Sequence, residues 1–331
     1  MIPTSHAALA DLLQTIGLNV NSGGGGVTID GSDPVVASPH RLSAASAVAL
    51  AAQGIAAAAL WRERAGEGQD VAVDTRDALN ALNSTFFLRQ NGRRMGIGVV
   101  PHEPMSPFFQ VRNGWFKLVG SRHVLRDKTL KLLNCMNATD SIAAAVANWD
   151  GLALEDACEE AGLAGCFVRT SEQWRSHPQG QWLARQPVVR VEKLGDSEPR
   201  PLPRGNRPLA GLRVLEAAHI LAGSAASRTL AEHGAEVLRV SHPVGQQDPP
   251  YMVIDTGFGK RNTFLDLDGG GRPNCLHALG RWRRRVRGVL PLWRSRPARR
   301  GRPGTGVGLP GARPCFRELL WRRAVGLAPR L

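Results

Sequence analysis

Two short stretches of this sequence hold residues of a type and spacing suited to phosphate chemistry. The first is HILAGS (His219–Ser224), between an apolar run ending at Glu216 and a helix pattern rich in small residues. A loop where a strand ends and a helix begins is a common meeting point for nucleotides. The first-turn N–H groups lack intrahelical partners there, and the helix dipole favours negative charge. The second stretch is the cation pair Lys260–Arg261 ahead of LDLD, two adjacent charges of the kind that pair with phosphate. No carboxylate occurs between Asp33 and Glu63, and Asp30 and Asp33 in IDGSDP read as turn-formers. His177 in HPQG and the turn Glu67–Gln69 read as structural. The five cysteines form no CxxC pair, so neither a zinc site nor a disulfide framework is expected, as in a reduced cytoplasmic protein.

The elements that must carry these residues follow from periodicity. Residues 1–40, around SGGGG (Ser22–Gly26), read as a loose lead-in. A helix is predicted from about Ser43 to Arg64, closed by the GEGQ turn, then the alternating strand DVAVD (Asp70–Asp74) and a helix over Thr75–Arg89. GWFKLVG and AGCFVRT read as strands, ATDSIAAAVANW and LALEDACEEAGL as amphipathic helices, and SEQW as a helix start with Ser171 at its N-cap. The proline-rich, charged stretch 185–208 has linker composition with one short strand, VVRVEKL. From Leu209 the texture changes to strand (GLRVLE), loop, helix (AASRTLAEHGA) and strand (EVLRVSHP). That is a βαβ unit, whose parallel strands require a crossover helix. No apolar run reaches membrane-spanning length, and no secretion signal opens the chain.

PLAGLRVLEAAHILAGSAASRTLAEHGAEVLRVSHP (Pro208–Pro243), followed by DTGFGKRNTFLDLD (Asp255–Asp268), resembles the opening of the family III CoA-transferases. That family includes formyl-CoA and carnitine-CoA transferases and alpha-methylacyl-CoA racemases. GIAAAALWRERAGEGQDVAVDTRDALNAL (Gly54–Leu82) and VRTSEQWRSHPQGQWLARQPVV (Val168–Val189) resemble later parts of the same family, so the order is inverted relative to a standard member. The resemblance implies an α/β fold with a Rossmann-like open parallel sheet, incomplete here. It implies 41–205 as the later part of the family, 206–268 as the start of the Rossmann-like domain, and 269–331 as a disordered basic tail. It implies CoA and acyl-CoA as substrates with no permanently bound cofactor, a carboxylic acid as the other partner, and a homodimer in intact relatives. It implies CoA contacts from Ile220, Leu221, Ala222 and Gly223, with His242, Lys260 and Arg261 near the phosphates. Members attack an acyl-CoA thioester with an Asp carboxylate, giving a mixed anhydride that a second nucleophile opens. Counting back from Gly54 as in the family lands on Ala44, so the nucleophile is absent and the catalytic residue is unassigned. A racemase reading needs an acid–base pair flanking the α-carbon, and none can be assembled. A non-catalytic CoA-binding remnant is the alternative.

The net charge of +14 is concentrated at one end. Residues 269–331 hold sixteen Arg, no Lys and a single acid, Glu318, which leaves residues 1–268 nearly neutral. A nucleic-acid reading therefore rests on the tail alone. Read one nucleotide later, codons for Trp282–Leu292 permit GADVFVESYR, and those for Phe316–Arg323 permit SVSCYGA. Both are strings the family shows at these places. The tail is accordingly expected to be out of frame and disordered, since arginines scattered among Gly and Pro cannot bury a face.

Overall fold

The structure, a computed structural model, describes residues 4–95, 103–193, 195, 204–241 and 249–265, with the backbone of 291–292. His242 and the remainder of the basic tail lie outside the described residues. The chain divides into two compact units, 1–95 with 187–331, and 96–186. The boundary expected at 205/206 falls inside unit 1. There Leu60 shares one core with Leu209, Leu212, Val214 and Val237, so the two stretches cannot be parted without exposing it.

Unit 1 begins with α1 (Ser5–Thr15), β1 (Gly24–Asp30), α2 (Leu42–Ala65), β2 (Gln69–Asp74) and α3 (Thr75–Leu82), then the two-residue strands β3 (Arg89–Gln90) and β4 (Arg93–Arg94). The expected loose lead-in is thus corrected. Leu9 and Leu13, one helical turn apart, are fully buried against Ala51 and Ile55 of α2. β1 pairs in parallel with β2, Val27 beside Val71 and Ile29 beside Val73. The glycines that resemble linker composition serve this contact. A Cβ on Gly25 would stand 2.4 Å from the Gln69 carbonyl oxygen, so only glycine lets the strands approach. The helix predicted over Thr75–Arg89 ends at Leu82, followed by a 3₁₀ turn at Ser84–Phe86.

The Ala-rich sequence of α2 favours helix along its whole length. At 24 residues and mean hydropathy 1.6 it is long and apolar enough to cross a membrane by length and composition, beyond what the sequence reading allowed. Its face against α1, β1 and β2 is that of a core helix. Its first-turn N–H groups are capped from a distance. The Asp33 carboxylate accepts from Ser43 N at 3.2 Å and Ala44 N at 3.0 Å, and from the Ser43 hydroxyl at 2.5 Å. Bonding by the Ser43 hydroxyl, with help from both amides, holds the Asp33 carboxyl below its ordinary range. Asp33→Ala is therefore expected to cost about 1 kcal/mol, as for loss of a helix cap, measured by urea unfolding. Because the folded value is depressed, this contribution is present above pH 3.8 and is lost as pH falls below it.

Unit 2 holds β5 (Phe108–Val111), β6 (Gly114–Leu118), α4 (His123–Leu133), α5 (Thr139–Val146), α6 (Gly151–Glu160), β7 (Gly165–Phe167), α7 (Ser171–Ser176) and α8 (Pro178–Ala184). The three strands form an antiparallel sheet in the order β5-β6-β7. One face carries Phe109, Phe116, Leu118 and Phe167 onto Ile142, Val146 and Leu154 of the helices. The N-cap of α7 is Thr170, not Ser171. Thr170 and Gln173 form a reciprocal capping box, a pairing that spacing fixes and residue type alone does not.

Unit 1 resumes with β8 (Arg213–Glu216), α9 (Ala222–Glu232), β9 (Glu236–Ser241), α10 (Pro250–Asp255), β10 (Lys260–Phe264) and the two-residue β11 (Pro291–Leu292). The strand expected in VVRVEKL does not form across 188–193, where Val188 is almost fully exposed and has no core to alternate against. The four strands are parallel in the order β10-β9-β8-β11, so chain order reverses direction between β8 and β11.

Candidate functional site

The segment 217–221 leaves the C-terminal end of β8 and enters α9. Val214 of β8 and Val237 of β9 anchor the sheet beneath it, and Ala231 holds the helix onto the same core. Within this loop Ile220 has a φ of +63°, a left-handed conformation costly for a β-branched residue and common where a loop is shaped for a task. Ile220 and Leu221 are both exposed, Ile220 by 39% and Leu221 by 43%, so neither is the core residue its type would make it. Leu221 occupies the N-cap of α9 and supplies no side chain to bond the first-turn N–H groups. Ala222 and Gly223, read as loop residues, are the first two residues of the helix. A Cβ on Gly223 would stand 2.6 Å from the Ala218 Cβ, so the loop folds back tightly onto the helix start. The result is an uncapped helix N-terminus with exposed apolar residues before it. Such a terminus accepts an anion, and an apolar lip suits a flat or aliphatic group beside it.

Beneath the loop lies a buried charged cluster. The Glu216 side chain is fully buried, as is that of Lys260, and Arg239 is 2% exposed. Lys260 Nζ donates to Glu216 Oε2 at 2.7 Å, to the Ser224 carbonyl at 2.7 Å and to Ser227 Oγ at 2.8 Å. The Ser227 hydroxyl also donates to Glu216 Oε2 at 2.7 Å. Arg239 Nε lies 3.4 Å from Glu216 Oε1, and its guanidinium donates to Thr256 Oγ1 at 3.3 Å. Burial lowers the Lys260 ammonium below its ordinary value, opposed by the bond to Glu216.

This corrects the expectation for Lys260. All three ammonium donors are used inside the protein, so it presents no charge to a phosphate. Its neighbour Arg261 alternates to the other side of β10 and is exposed. The cation pair is therefore split by the strand's period of two, one member structural and the other open to ligand. Sequence reasoning missed Glu216, Ser224, Ser227 and Arg239. The available signal was an acid closing the apolar strand VLE, with serines three apart on one face of the following helix.

The other candidates separate from this site. Ala44 is 7% exposed at the start of α2, and its N–H is bonded to Asp33, which acts as the cap. His177 caps α8, its Nδ1 accepting from Gln179 N at 3.2 Å, and its ring stacks 5.6 Å from that of Trp174. It borders an open depression of about 920 Å³ in unit 2, lined also by Glu155, Arg169 and Cys166. Among the described residues no group of three His, Cys, Asp or Glu could hold a metal ion.

His233, at the C-terminal end of α9, is half-buried, and the Gln53 amide donates to its Nε2 at 3.2 Å. Burial pushes this imidazole below 6.5, with Glu232 opposing and Arg207 reinforcing. The unfolded chain takes up a proton that the folded site refuses. Stability is therefore expected to fall as pH drops below 6.5, and to fall less in His233→Gln, measured by urea unfolding at several pH values.

Comparison with known proteins meets this geometry over one stretch. Residues 209–267, from the entry to β8 to just past β10, match the CoA-transferase family III profile. The matched stretch contains the loop, the uncapped α9 terminus and the buried cluster. The chain is 32% identical over 170 residues to an acyl-CoA transferase of Gibberella moniliformis, covering 46% of this chain and 30% of that protein. It is 41% identical over 83 residues to a succinate–glutarate CoA-transferase of Agrobacterium fabrum, covering 24% and 21%. The chain spans less than a third of the length of these curated relatives. Among solved structures, a hypothetical protein of Mycobacterium tuberculosis aligns at 17% identity and a TM-score of 0.37, over 55% of this chain and 52% of that one.

Proposed function

We propose that this chain binds coenzyme A or its thioesters at the β8–α9 loop, in the manner of a CoA-transferase whose nucleophile is missing. One observation carries the reading. An uncapped helix N-terminus, introduced by a strained and exposed loop, stands at the C-terminal end of β8, beside the point where the strand order reverses. In open parallel sheets that crevice is where nucleotides bind, and the order found here is the one that opens a Rossmann-like sheet. The first-turn N–H groups of α9 would face a pyrophosphate. Ile220 and Leu221 would lie against the adenine or the pantetheine arm, and Arg261 would approach the ribose phosphate. In intact CoA-transferases an Asp carboxylate attacks the thioester carbonyl and expels CoA thiolate. A carboxylic acid acceptor later takes the CoA. Here Ala44 has no oxygen with which to attack, and Asp33 is held in a helix cap that lowers its basicity.

The test is titration of the full chain with CoA by calorimetry and thermal shift, beside a transferase assay with an acyl-CoA and a carboxylate. Heat and a raised midpoint without turnover are expected. A folded sample giving neither heat nor shift sinks the ligand assignment, and turnover would sink the missing nucleophile.

A further inference from the structure

Lys260 bonds both ends of the loop at once. Glu216 is the last residue of β8, immediately before the loop, and Ser224 is the third residue of α9, just after it. The Lys260 ammonium donates to the carboxylate of the first and the backbone carbonyl of the second, each at 2.7 Å. Its third donor reaches Ser227 Oγ, whose own hydrogen goes back to Glu216 Oε2. The enclosed side chain comes from β10, two strands away from β8 in the sheet.

We propose that Lys260 is a positioning residue: its ammonium clamps the two ends of the β8–α9 loop and so sets where residues 217–221 and the α9 N-terminus stand. The proposal rests on the reading of this loop as the CoA site for its functional consequence, but the clamp itself is a property of the fold. A compact ammonium suits the task because its three hydrogens diverge toward an acid, a carbonyl and a hydroxyl. A planar guanidinium cannot reach the same three acceptors from one point.

The experiment compares the full chain with Lys260→Met, Lys260→Arg and the control Leu212→Ala. Leu212 is buried in the apolar core shared by β8, α9 and β9, just before β8 begins. Amide hydrogen exchange over 217–226 is read at conditions where each variant is folded, together with the thermal midpoint and the Kd for CoA. Lys260→Met is expected to speed exchange in this window by about tenfold or more, relative to any change elsewhere in unit 1. It is expected to weaken CoA binding by about tenfold, because the terminal N–H groups no longer stand together. Leu212→Ala lowers the midpoint but leaves both readouts at wild-type values. If Lys260→Met does not fold, Lys260→Arg carries the same comparison. Exchange over 217–226 that matches the control at equal loss of midpoint overturns the clamp. A wild-type chain that ignores CoA while the variant shows faster loop exchange supports the clamp and rejects the ligand.

Discussion

Glu216→Gln is expected to lower the unfolding free energy by about 3–5 kcal/mol, the range for breaking a buried ion pair from one side. Glutamine keeps the volume and removes only the charge. The fully buried Lys260 ammonium then loses its counter-charge while remaining out of water, and Arg239, 2% exposed, loses the same carboxylate. Lost hydrogen bonding is the smaller part, because the Gln carbonyl still accepts from Ser227. The variant should also carry a pH signature. Burial already lowers Lys260 and Glu216 is what opposes that shift, so removing the carboxylate lowers it further. A folded value below the unfolded one makes stability rise with pH, and Glu216→Gln should recover part of its deficit as pH rises toward 10.5. Urea unfolding at neutral and alkaline pH measures both effects. A loss below about 1 kcal/mol would mean that water reaches the cluster and that the charges do not depend on one another.

Phe116→Ala is expected to cost unit 2 about 3–5 kcal/mol, as for a large core residue that leaves a cavity. Phe116 is fully buried in the central strand of a three-stranded sheet, cross-strand from Phe109 of β5 and from Phe167 of β7. Gly165 faces its ring so closely that a Cβ there would stand 2.8 Å from Cε1, so no neighbour is poised to fill the space. A small domain has only some 5–15 kcal/mol in total, so this loss takes a large fraction of it. Loss of near-ultraviolet dichroism and a lowered urea midpoint are the readouts. An unchanged midpoint would show that the aromatic layer of unit 2 is not its core.

The site was partly legible in the sequence. The βαβ pattern and the loop between its first strand and helix could be read because alternation, helical period and the stop at Gly234 are local signals. The placement of Ala222 and Gly223 was off by about one helical turn, since the N-cap position falls to Leu221 while Ser224, a favoured cap type, lies inside the helix. The roles of Lys260 and Arg261 were not legible. Adjacent cations in a strand point to opposite faces, and which face is buried depends on what packs there.

Composition and periodicity by themselves determined α2, β2, the helices α5 and α6, the strands β6 and β7 of unit 2 and the parallel pair β8–β9, because each writes its burial into nearby residues. Only the tertiary structure decided that SGGGG enters a strand, that Asp33 caps a helix nine residues away, and that Leu60 and Leu209 share a core. The same holds for Lys260, whose bonds to Glu216 and Ser224 span more than thirty residues of chain. The physical reason is common to all four: each is a contact between distant segments, and hydrogen-bond geometry and burial exist only once both partners are in place.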